Sequence, residues 1–195
     1  MKVKICGIMN LEDAAMCEDM GADALGFVHF PGRARSLPLR EISEISSSVG
    51  PLTTKVLVCA PSTTGEAVQM LDESGVDALQ LYTLGPAEVL ELRLLGERVF
   101  RVVPPERDMA KAFAASADAL VFEGGPPGSG AAYDYSKAPV DCCERAIIAG
   151  GLKPSNVALA KSLRPYGLDV SSGVERVRGR KDPELVAEFI RRCRE

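Results

Sequence analysis

Tryptophan is absent from the 195-residue chain, and histidine occurs once, at His29. Ser-His-Asp and Cys-His nucleophile systems both require a histidine, and a lone histidine is more often structural than catalytic, so neither system is favoured. The six cysteines include no C-x-x-C pair, since Cys142 and Cys143 are adjacent. Zinc sites with the usual cysteine and histidine spacing are therefore not indicated.

Long apolar runs and a basic surface are also missing. No apolar run approaches the roughly 20 residues that are needed to span a bilayer. The first ten residues contain two lysines but no long apolar segment, which argues against a signal peptide. The formal net charge is −4, whereas phosphate backbones attract a basic stripe. We expect a cytoplasmic protein with reduced cysteines that binds neither membranes nor nucleic acid.

Short apolar runs that are typical of strands alternate with helical patterns along the chain. Strands are predicted at 3–6, 24–28, 55–59, 78–81, 99–103, 119–122, 146–149 and 168–170. Helices are predicted at 10–20, 39–49, 62–74, 85–95, 105–116, 153–164 and 182–194, with 135–143 as a further candidate. Asn10 and Asp182 suit helix N-caps, and Gly21, Gly75 and Gly167 suit left-handed helix ends.

A sequence echo also runs through the chain. "GADALGF", "GVDALQL", "SADALVF" and "GLDVSS" place Asp23, Asp77, Asp118 and Asp169 at the second, fourth, sixth and eighth strand-like runs. Each pattern predicts a turn into aspartate and then a continuous apolar run, as parallel strands buried on both faces require. Eight strands alternating with helices predict an α/β fold, a single compact (β/α)8 TIM barrel over residues 1–195.

Small residues follow the last two predicted strands. Gly150 and Gly151 come after the seventh, and Ser171, Ser172 and Gly173 come after the eighth. Small residues let backbone N–H groups approach an anion, and a helix N-terminus adds a favourable dipole. Because barrels of this kind often hold a phosphate at these loops, the pair predicts a phosphate site, the alternative being two ordinary turns.

An acid and a base also fall at strand ends. Cys6 closes the first strand and Glu123 the sixth, with a glycine-rich loop behind it. A thiolate can accept a proton, and a carboxylic acid can donate one to a substrate oxygen. The alternatives are a small buried cysteine and a solvated loop carboxylate. Arg33 and Arg35, after the second strand, are equal candidates for binding a carboxylate.

These residues alone predict a barrel that acts on a small phosphate ester without a metal. A proton-transferring isomerase and an aldolase-like lyase both remain open at this level. The Schiff-base route needs a lysine at a strand end, and Lys55 stands at a strand start instead.

Four segments carry a family resemblance: "VKICGIMNLEDA", "GADALGFVHFPGRARSLP", "AGGLKPSNV" and the C-terminal stretch from "RPYGLDVSSGVE" to "RGRKDPELVAEFI". With them, nearly the whole chain resembles the phosphoribosylanthranilate isomerase family of tryptophan biosynthesis. The resemblance implies the compact (β/α)8 barrel. It also implies the Amadori rearrangement of N-(5-phosphoribosyl)anthranilate to 1-(2-carboxyphenylamino)-1-deoxyribulose 5-phosphate, without metal or organic cofactor. The chain contains no tryptophan, which suits an enzyme that a tryptophan-starved cell must make.

The resemblance also implies roles for individual residues. Cys6 would be the general base, and Glu123 the general acid that opens the sugar ring. Arg35 would hold the anthranilate carboxylate, and Asp169 would lie near the substrate. The phosphate of the small-molecule substrate would be held by Gly128, Gly130, Gly150, Gly151, Ser171, Ser172 and Gly173. We expect a monomer or a homodimer.

Three positions depart from the family pattern. The sixth-strand acid is normally aspartate rather than Glu123, and "QLYT" places Tyr82 and Thr83 where the family has histidine and glycine. The loop "PGSGAAYDY" is altered but recognisable. A misplacement of about 1 Å can reduce a rate on the order of a hundredfold. The alternative function is therefore a phosphate-ester-binding paralogue with lost or altered activity. An aminoaldose phosphate isomerase of histidine biosynthesis would use paired aspartates, against which Cys6 argues.

Overall fold

Eight parallel strands close into a barrel in the computed structural model, which describes residues 1–126 and 130–195. The strands pair in chain order, and β1 pairs with β8 to complete the ring. This arrangement confirms the predicted (β/α)8 fold class. The barrel strands are β1 Lys2–Cys6, β2 Ala24–His29, β3 Thr54–Cys59, β4 Ala78–Leu81, β5 Val99–Val103, β6 Ala119–Phe122, β7 Ala146–Ile148 and β8 Gly167–Val170.

Helices surround the barrel in the described part of the chain. They are α1 Leu11–Asp19, α2 Leu39–Ser46, α3 Thr64–Ser74, α4 Pro86–Leu94, α5 Arg107–Phe113, α6 Val157–Lys161 and α7 Pro183–Arg194. A short antiparallel hairpin, β9 Glu175–Val177 with β10 Arg180–Lys181, follows β8 and precedes α7. Among these described helices, none has the length and apolar character needed to cross a membrane.

The predicted cap residues fix several helix ends. Asn10 accepts a hydrogen bond from the backbone N–H of Asp13, and Asp182 accepts from the first turn of α7. Gly75 ends α3 with a φ of 63°, the left-handed geometry that glycine adopts without strain. Gly167 was wrongly predicted to end a helix. It begins β8 instead, and Arg164 takes the left-handed position with a φ of 52°.

Two helix predictions differ from the structure. The candidate helix at 135–143 is replaced by two 3₁₀ turns, Tyr135–Lys137 and Val140–Cys142, because Pro139 interrupts the segment. The helix predicted at 153–164 begins only at Val157, so Pro154 lies in the turn before it. The N-terminus of α6 therefore does not directly follow Gly151.

The alternation of side chains along the strands produces two cores. The larger core lies between the strands and the helices, and it includes Leu25, Phe27, Leu57 and Phe122. The smaller core fills the interior of the barrel with Val102, Ala119, Val121, Ile147 and Ala149, against which Tyr82 and Phe100 pack. Apolar side chains thus fill this layer of the barrel interior. Polar side chains that also point inward lie nearer to the carboxyl ends of the strands.

Three of the four echoed aspartates connect neighbouring strands. Asp23 accepts a hydrogen bond from the backbone N–H of Val3, at 2.9 Å. Asp77 and Asp118 accept in the same way from Lys55 and Val99, each at 2.8 Å. Each carboxylate thus precedes an even-numbered strand and binds the start of the strand before it. Asp169 does not follow this pattern, since it lies inside β8 and faces the barrel interior.

A buried ion pair joins the first and last strands. Lys4 and Asp169 are register partners in β1 and β8, and Nζ of Lys4 lies 2.9 Å from Oδ2 of Asp169. Their side chains are only 5% and 6% exposed. Burial would lower the pKa of Lys4, but the Asp169 carboxylate and the Cys6 sulfur outweigh burial and leave that pKa raised. The lysine therefore stays charged inside the barrel.

Removal of one partner of this pair should destabilise the fold strongly. We expect Lys4→Met to lower the free energy of unfolding by about 3–5 kcal/mol, because Asp169 is left as an unpaired buried charge. The double variant Lys4→Met/Asp169→Leu should recover most of that loss, since two apolar groups need no partner. Urea unfolding followed by circular dichroism measures both values.

The matched control is the exposed pair of Arg40 and Glu44, whose side chains are 90% and 64% exposed. Arg40→Ala should change the free energy of unfolding by less than about 1 kcal/mol. Equal losses for Lys4→Met and Arg40→Ala would contradict the structural role of the buried pair.

Candidate active site

A cavity of about 360 Å³ opens at the carboxyl ends of the barrel strands. The predicted site residues that line it come from five different loops and strand ends. They are Cys6, Arg35, Glu123, Gly130, Gly150, Gly151, Asp169, Ser171 and Ser172. Gly173 lies behind the lining, and Gly128 lies outside the described residues. The barrel topology thus brings together residues that are spread over most of the chain.

Cys6 is the last residue of β1, and its sulfur faces the cavity. Burial raises the pKa of the Cys6 thiol, and the charges of Lys4 and Lys181 reduce that rise without cancelling it. Asp169 adds to the rise. Gly26, the register partner of Cys6 on β2, leaves room for these groups, because a Cβ there would lie 2.8 Å from Nζ of Lys4 and 2.9 Å from Sγ of Cys6.

Two buried oxygens on the cavity wall have no hydrogen-bond partner among the described residues. They are Oδ1 of Asp169 and Oε1 of Gln80, and both side chains are almost fully buried. A buried acceptor without a donor is unfavourable by about 1–3 kcal/mol. Such groups are suited to accept hydrogen bonds from hydroxyl groups of a bound ligand.

Glu123, the first residue after β6, faces the cavity from the side opposite β1. Tyr82, the first residue after β4, donates a hydrogen bond from its hydroxyl to Oε2 of Glu123 at 2.6 Å. Burial and then the neighbouring Glu123 raise the pKa of the Tyr82 phenol far above its ordinary value. The phenol therefore remains a neutral hydrogen-bond donor.

Arg35 is held by a carboxylate of the protein itself. Its Nε and Nη2 donate to the two oxygens of Glu175, each at 2.7 Å. Glu175 also binds Lys181, whose side chain is fully buried. Burial would raise the pKa of Glu175, but Arg35 and Lys181 outweigh it and hold that pKa below its ordinary value. Two donors of Arg35 are thus occupied, and the guanidinium lines the cavity in a fixed orientation.

The alternative arginine, Arg33, is exposed at the cavity rim, with its guanidinium 5.2 Å from the centre of the Phe30 ring. A third arginine, Arg178, reaches the same cavity from the hairpin of β9 and β10. The rim therefore carries positive charge on two sides. The single histidine is structural, because Nδ1 of His29 donates to the carbonyl oxygen of Leu37 at 2.8 Å.

The glycine and serine loops after β7 and β8 meet closely. Gly150 and Gly151 have φ values of 84° and 64°. A Cβ on Gly151 would collide with the backbone of Ala132, and a Cβ on Gly173 would collide with the carbonyl oxygen of Leu152. Gly151 therefore lets the loop after β7 pack against the loop after β6, and Gly173 lets the loop after β8 pack against the loop after β7. A turn separates Gly151 from α6, so no helix begins directly after β7, whereas a 3₁₀ turn, Ser172–Val174, does follow β8 as predicted.

Several site residues were missed by the sequence interpretation. They are Lys4, Gln80, Glu175, Arg178 and Lys181, while Tyr82 was noted only as a departure from the family pattern. Lys4 and Gln80 did carry a signal, because Lys4 stands two residues before Cys6 in β1, and Gln80 stands two residues before Tyr82, the first residue after β4. A charged or amide side chain within a buried parallel strand is itself unusual. Glu175 and Lys181 carried no comparable signal, since both lie in a segment that resembles a solvated loop.

The family comparison agrees with this geometry. The family model for N-(5'phosphoribosyl)anthranilate (PRA) isomerase matches residues 3–192. The chain belongs to the PRA isomerase family. A Methanothrix thermoacetophila protein named N-(5'-phosphoribosyl)anthranilate isomerase is 40% identical, and the match covers 99% of this chain and 98% of that protein.

Solved structures of PRA isomerases share the fold. The Thermus thermophilus phosphoribosyl anthranilate isomerase has a TM-score of 0.90 and 35% identity, with 98% of each chain covered. A second structure was solved in complex with reduced 1-(o-carboxyphenylamino)-1-deoxyribulose 5-phosphate. It has a TM-score of 0.87 and 30% identity, and the match covers 100% of this chain and 98% of that one.

The raised pKa of Cys6 makes a prediction for its reactivity. Below the pKa of a thiol, the thiolate fraction rises about tenfold for each pH unit. The rate of alkylation of Cys6 by iodoacetamide should therefore still be rising steadily between about pH 7 and 9. Lys4→Met should slow the reaction at a given pH, because loss of a positive charge raises the pKa of Cys6 further.

Mass mapping of the alkylated peptide distinguishes Cys6 from the other five cysteines, none of which forms a disulfide. Cys142 provides an internal comparison, because Lys4→Met should leave its rate unchanged. Faster alkylation of Cys6 in Lys4→Met, with the buried Cys17 still alkylated at its wild-type rate, would show that Lys4 does not favour the thiolate.

Proposed function

We propose that the chain catalyses the Amadori rearrangement of N-(5-phosphoribosyl)anthranilate to 1-(2-carboxyphenylamino)-1-deoxyribulose 5-phosphate, a step of tryptophan biosynthesis. One observation carries the proposal. The Cys6 thiol and the Glu123 carboxyl line the same cavity as the glycine and serine loops, in a chain of the PRA isomerase family. The cavity volume of about 360 Å³ lies in the range of small-ligand sites, roughly 300–1,000 Å³.

The proposed reaction needs one acid and one base. Glu123 donates a proton to the furanose oxygen while the bond from that oxygen to C1 breaks, and C1 becomes a protonated imine. Cys6, as the thiolate, removes the proton from C2, and the electron pair forms the C1–C2 double bond. Protonation of C1 and loss of the hydroxyl proton on C2 then give the ketone. Proton transfer by positioned groups of this kind contributes typically about 10²–10⁴-fold in rate.

The environment of Cys6 fits a strong base. Its raised pKa makes the thiolate a better proton acceptor once formed, although the ionised fraction is smaller. The positive charges of Lys4 and Lys181 lower the pKa of Cys6 and so limit the decrease in its ionised fraction. The two departures from the family pattern, Glu123 for aspartate and Tyr82 for histidine, occur together, because the longer side chain of Glu123 accepts a hydrogen bond from the Tyr82 hydroxyl. This contact favours retained activity over the alternative of a binding paralogue.

The remaining residues of the site bind different groups of the substrate. We assign the anthranilate carboxylate to Arg35, whose Nη1 takes no part in the two bonds to Glu175, with Arg33 and Arg178 as the other cations at the rim. The phosphate goes to the loops after β7 and β8, with Gly128 and Gly130 from the β6 loop. The sugar hydroxyls go to Oδ1 of Asp169 and Oε1 of Gln80, which have no hydrogen-bond partner in the described part of the chain.

The assignment also implies the broader character of the protein. We infer that residues 1–195 act as one barrel domain in the cytoplasm. The small-molecule substrate requires no metal or organic cofactor in this reading. A monomeric or homodimeric state stays a prediction.

Loss of the acid or the base should remove the activity. We expect Cys6→Ala and Glu123→Gln each to lower kcat by about 10²–10⁴-fold, because each removes one proton-transferring group. The loss of substrate fluorescence measures turnover of phosphoribosylanthranilate. Cys142→Ala, a partly buried cysteine outside the cavity, serves as the control and should retain full activity.

Complementation of a tryptophan auxotroph that lacks the isomerase separates the two functions. Growth with the wild-type chain, and failure with Cys6→Ala, is the expected result. Tight binding of a phosphate ester without growth or turnover would instead favour the paralogue. A fully active Glu123→Gln variant would overturn the assignment of the acid.

Gln80 offers a test in which stability and activity move in opposite directions. Gln80→Met removes a buried acceptor that has no partner within residues 1–126 and 130–195, so the free energy of unfolding should rise by about 1 kcal/mol. The same change removes a hydrogen bond to the substrate, and kcat/KM should fall about 2- to 10-fold. Urea unfolding and steady-state kinetics measure the two effects. A fall in both stability and activity would indicate a purely structural glutamine.

A further inference from the structure

Tyr82 and Glu123 meet across the mouth of the barrel. They follow β4 and β6, which are separated by β5, and they lie 41 residues apart in the chain. The O–O distance of 2.6 Å is at the short end for hydrogen bonds between two oxygen atoms. A contact of this length restricts both side chains.

The phenol of Tyr82 is itself held in place. The ring of Phe30 packs against it edge to face, with the ring centres 6.0 Å apart and an interplanar angle of 80°. The next residue, Thr83, donates from its hydroxyl to the carbonyl oxygen of Pro61. The contact with Phe30 thus restrains the ring of Tyr82, and the bond from Thr83 restrains the chain directly after it. Tyr82 is therefore a rigid donor.

A rigid donor has a direct effect on a glutamate. The Glu123 side chain has one more rotatable bond than an aspartate, so its carboxyl group has more orientations to lose on ordering. The bond from Tyr82 selects one of these orientations. A carboxylic acid that accepts a hydrogen bond on one oxygen carries its proton on the other, so the bond to Oε2 also selects the oxygen that donates.

From this contact we propose that Tyr82 is a positioning residue, which orients the Glu123 carboxyl for protonation of the substrate's ring oxygen. The inference rests on the proposed isomerase function for its chemical consequence. Tyr82 does not transfer the proton in this role. The raised pKa of its phenol is consistent with a group that only donates a hydrogen bond.

Tyr82→Phe is the direct test, because it removes the hydroxyl and keeps the ring that packs on Phe30. We expect kcat to fall about tenfold or more while KM changes little, since the lost interaction orients the acid rather than the substrate. Loss of a donor also raises the pKa of a carboxyl group, so the limb of the pH profile of kcat/KM that Glu123 sets should move to higher pH.

Tyr166→Phe is the matched control, because Tyr166 is exposed and precedes β8 at the opposite end of the barrel. It should leave kcat, KM and the pH profile unchanged. An unchanged kcat and pH profile in Tyr82→Phe would overturn the proposal. So would a rise in KM alone, which would make Tyr82 a substrate-binding residue.

A titration that needs no turnover tests the pair separately. In protein labelled with ¹³C at the glutamate carboxyl carbon, the signal of Glu123 is the one that disappears in Glu123→Gln. Its pKa should rise in Tyr82→Phe and stay constant in Tyr166→Phe. Equal pKa values in wild type and Tyr82→Phe would overturn the inference. A wild-type chain with this coupling but no isomerase activity would overturn the proposed function and leave the pairing established.

A double-mutant cycle completes the test. Glu123→Asp shortens the acid by one methylene and withdraws it from Tyr82. If the two residues act through their contact, Tyr82→Phe should reduce kcat much less in the Glu123→Asp background than in wild type. Additive losses would show that the two side chains act independently, and they would contradict the proposal.

Discussion

The ion pair between Lys4 and Asp169 is the interaction on which both the barrel and its cavity depend. It bridges β1 and β8, the two strands whose pairing closes the sheet. Lys4 lies two residues before Cys6 on the same inward face, so the charge that helps close the barrel also acts on the thiol. Gly26 on β2 makes this possible, because a larger residue would fill the space that both side chains use.

The cavity wall combines satisfied charges with unsatisfied acceptors. Lys4, Glu175 and Lys181 all have partners within the protein, and their positions are therefore fixed before a ligand arrives. Oδ1 of Asp169 and Oε1 of Gln80 have none among the described residues, which is unfavourable for the fold. The unfavourable groups of the site are thus the acceptors to which a ligand could donate hydrogen bonds, whereas the charged side chains around them are held rigidly by their partners.

Local patterns predicted the fold better than the site. Apolar runs gave the bounds of β4, β5 and β6 correctly, because strands buried on both faces need continuous apolar sequence. The repeated motif grouped Asp169 with Asp23, but Asp23 precedes β2 whereas Asp169 lies within β8. The motif alone does not show where its aspartate stands relative to the first residue of the strand. The bond between Arg35 and Glu175 joins residues 140 apart, and no periodicity in the sequence encodes such a contact. Tyr82 was likewise noticed only as a departure from the family pattern.

The hairpin of β9 and β10 affects the order in which parts of the chain can fold during synthesis. Nζ of Lys181 donates to the carbonyl oxygen of Cys6, and Glu175 holds Arg35. Residues near the start of the chain thus receive their final support from residues near its end. During synthesis on a ribosome, the first strand emerges early, but its carboxyl end cannot be secured until residue 181 has left the exit tunnel. The nascent barrel is therefore chemically incomplete until almost the whole chain has been translated.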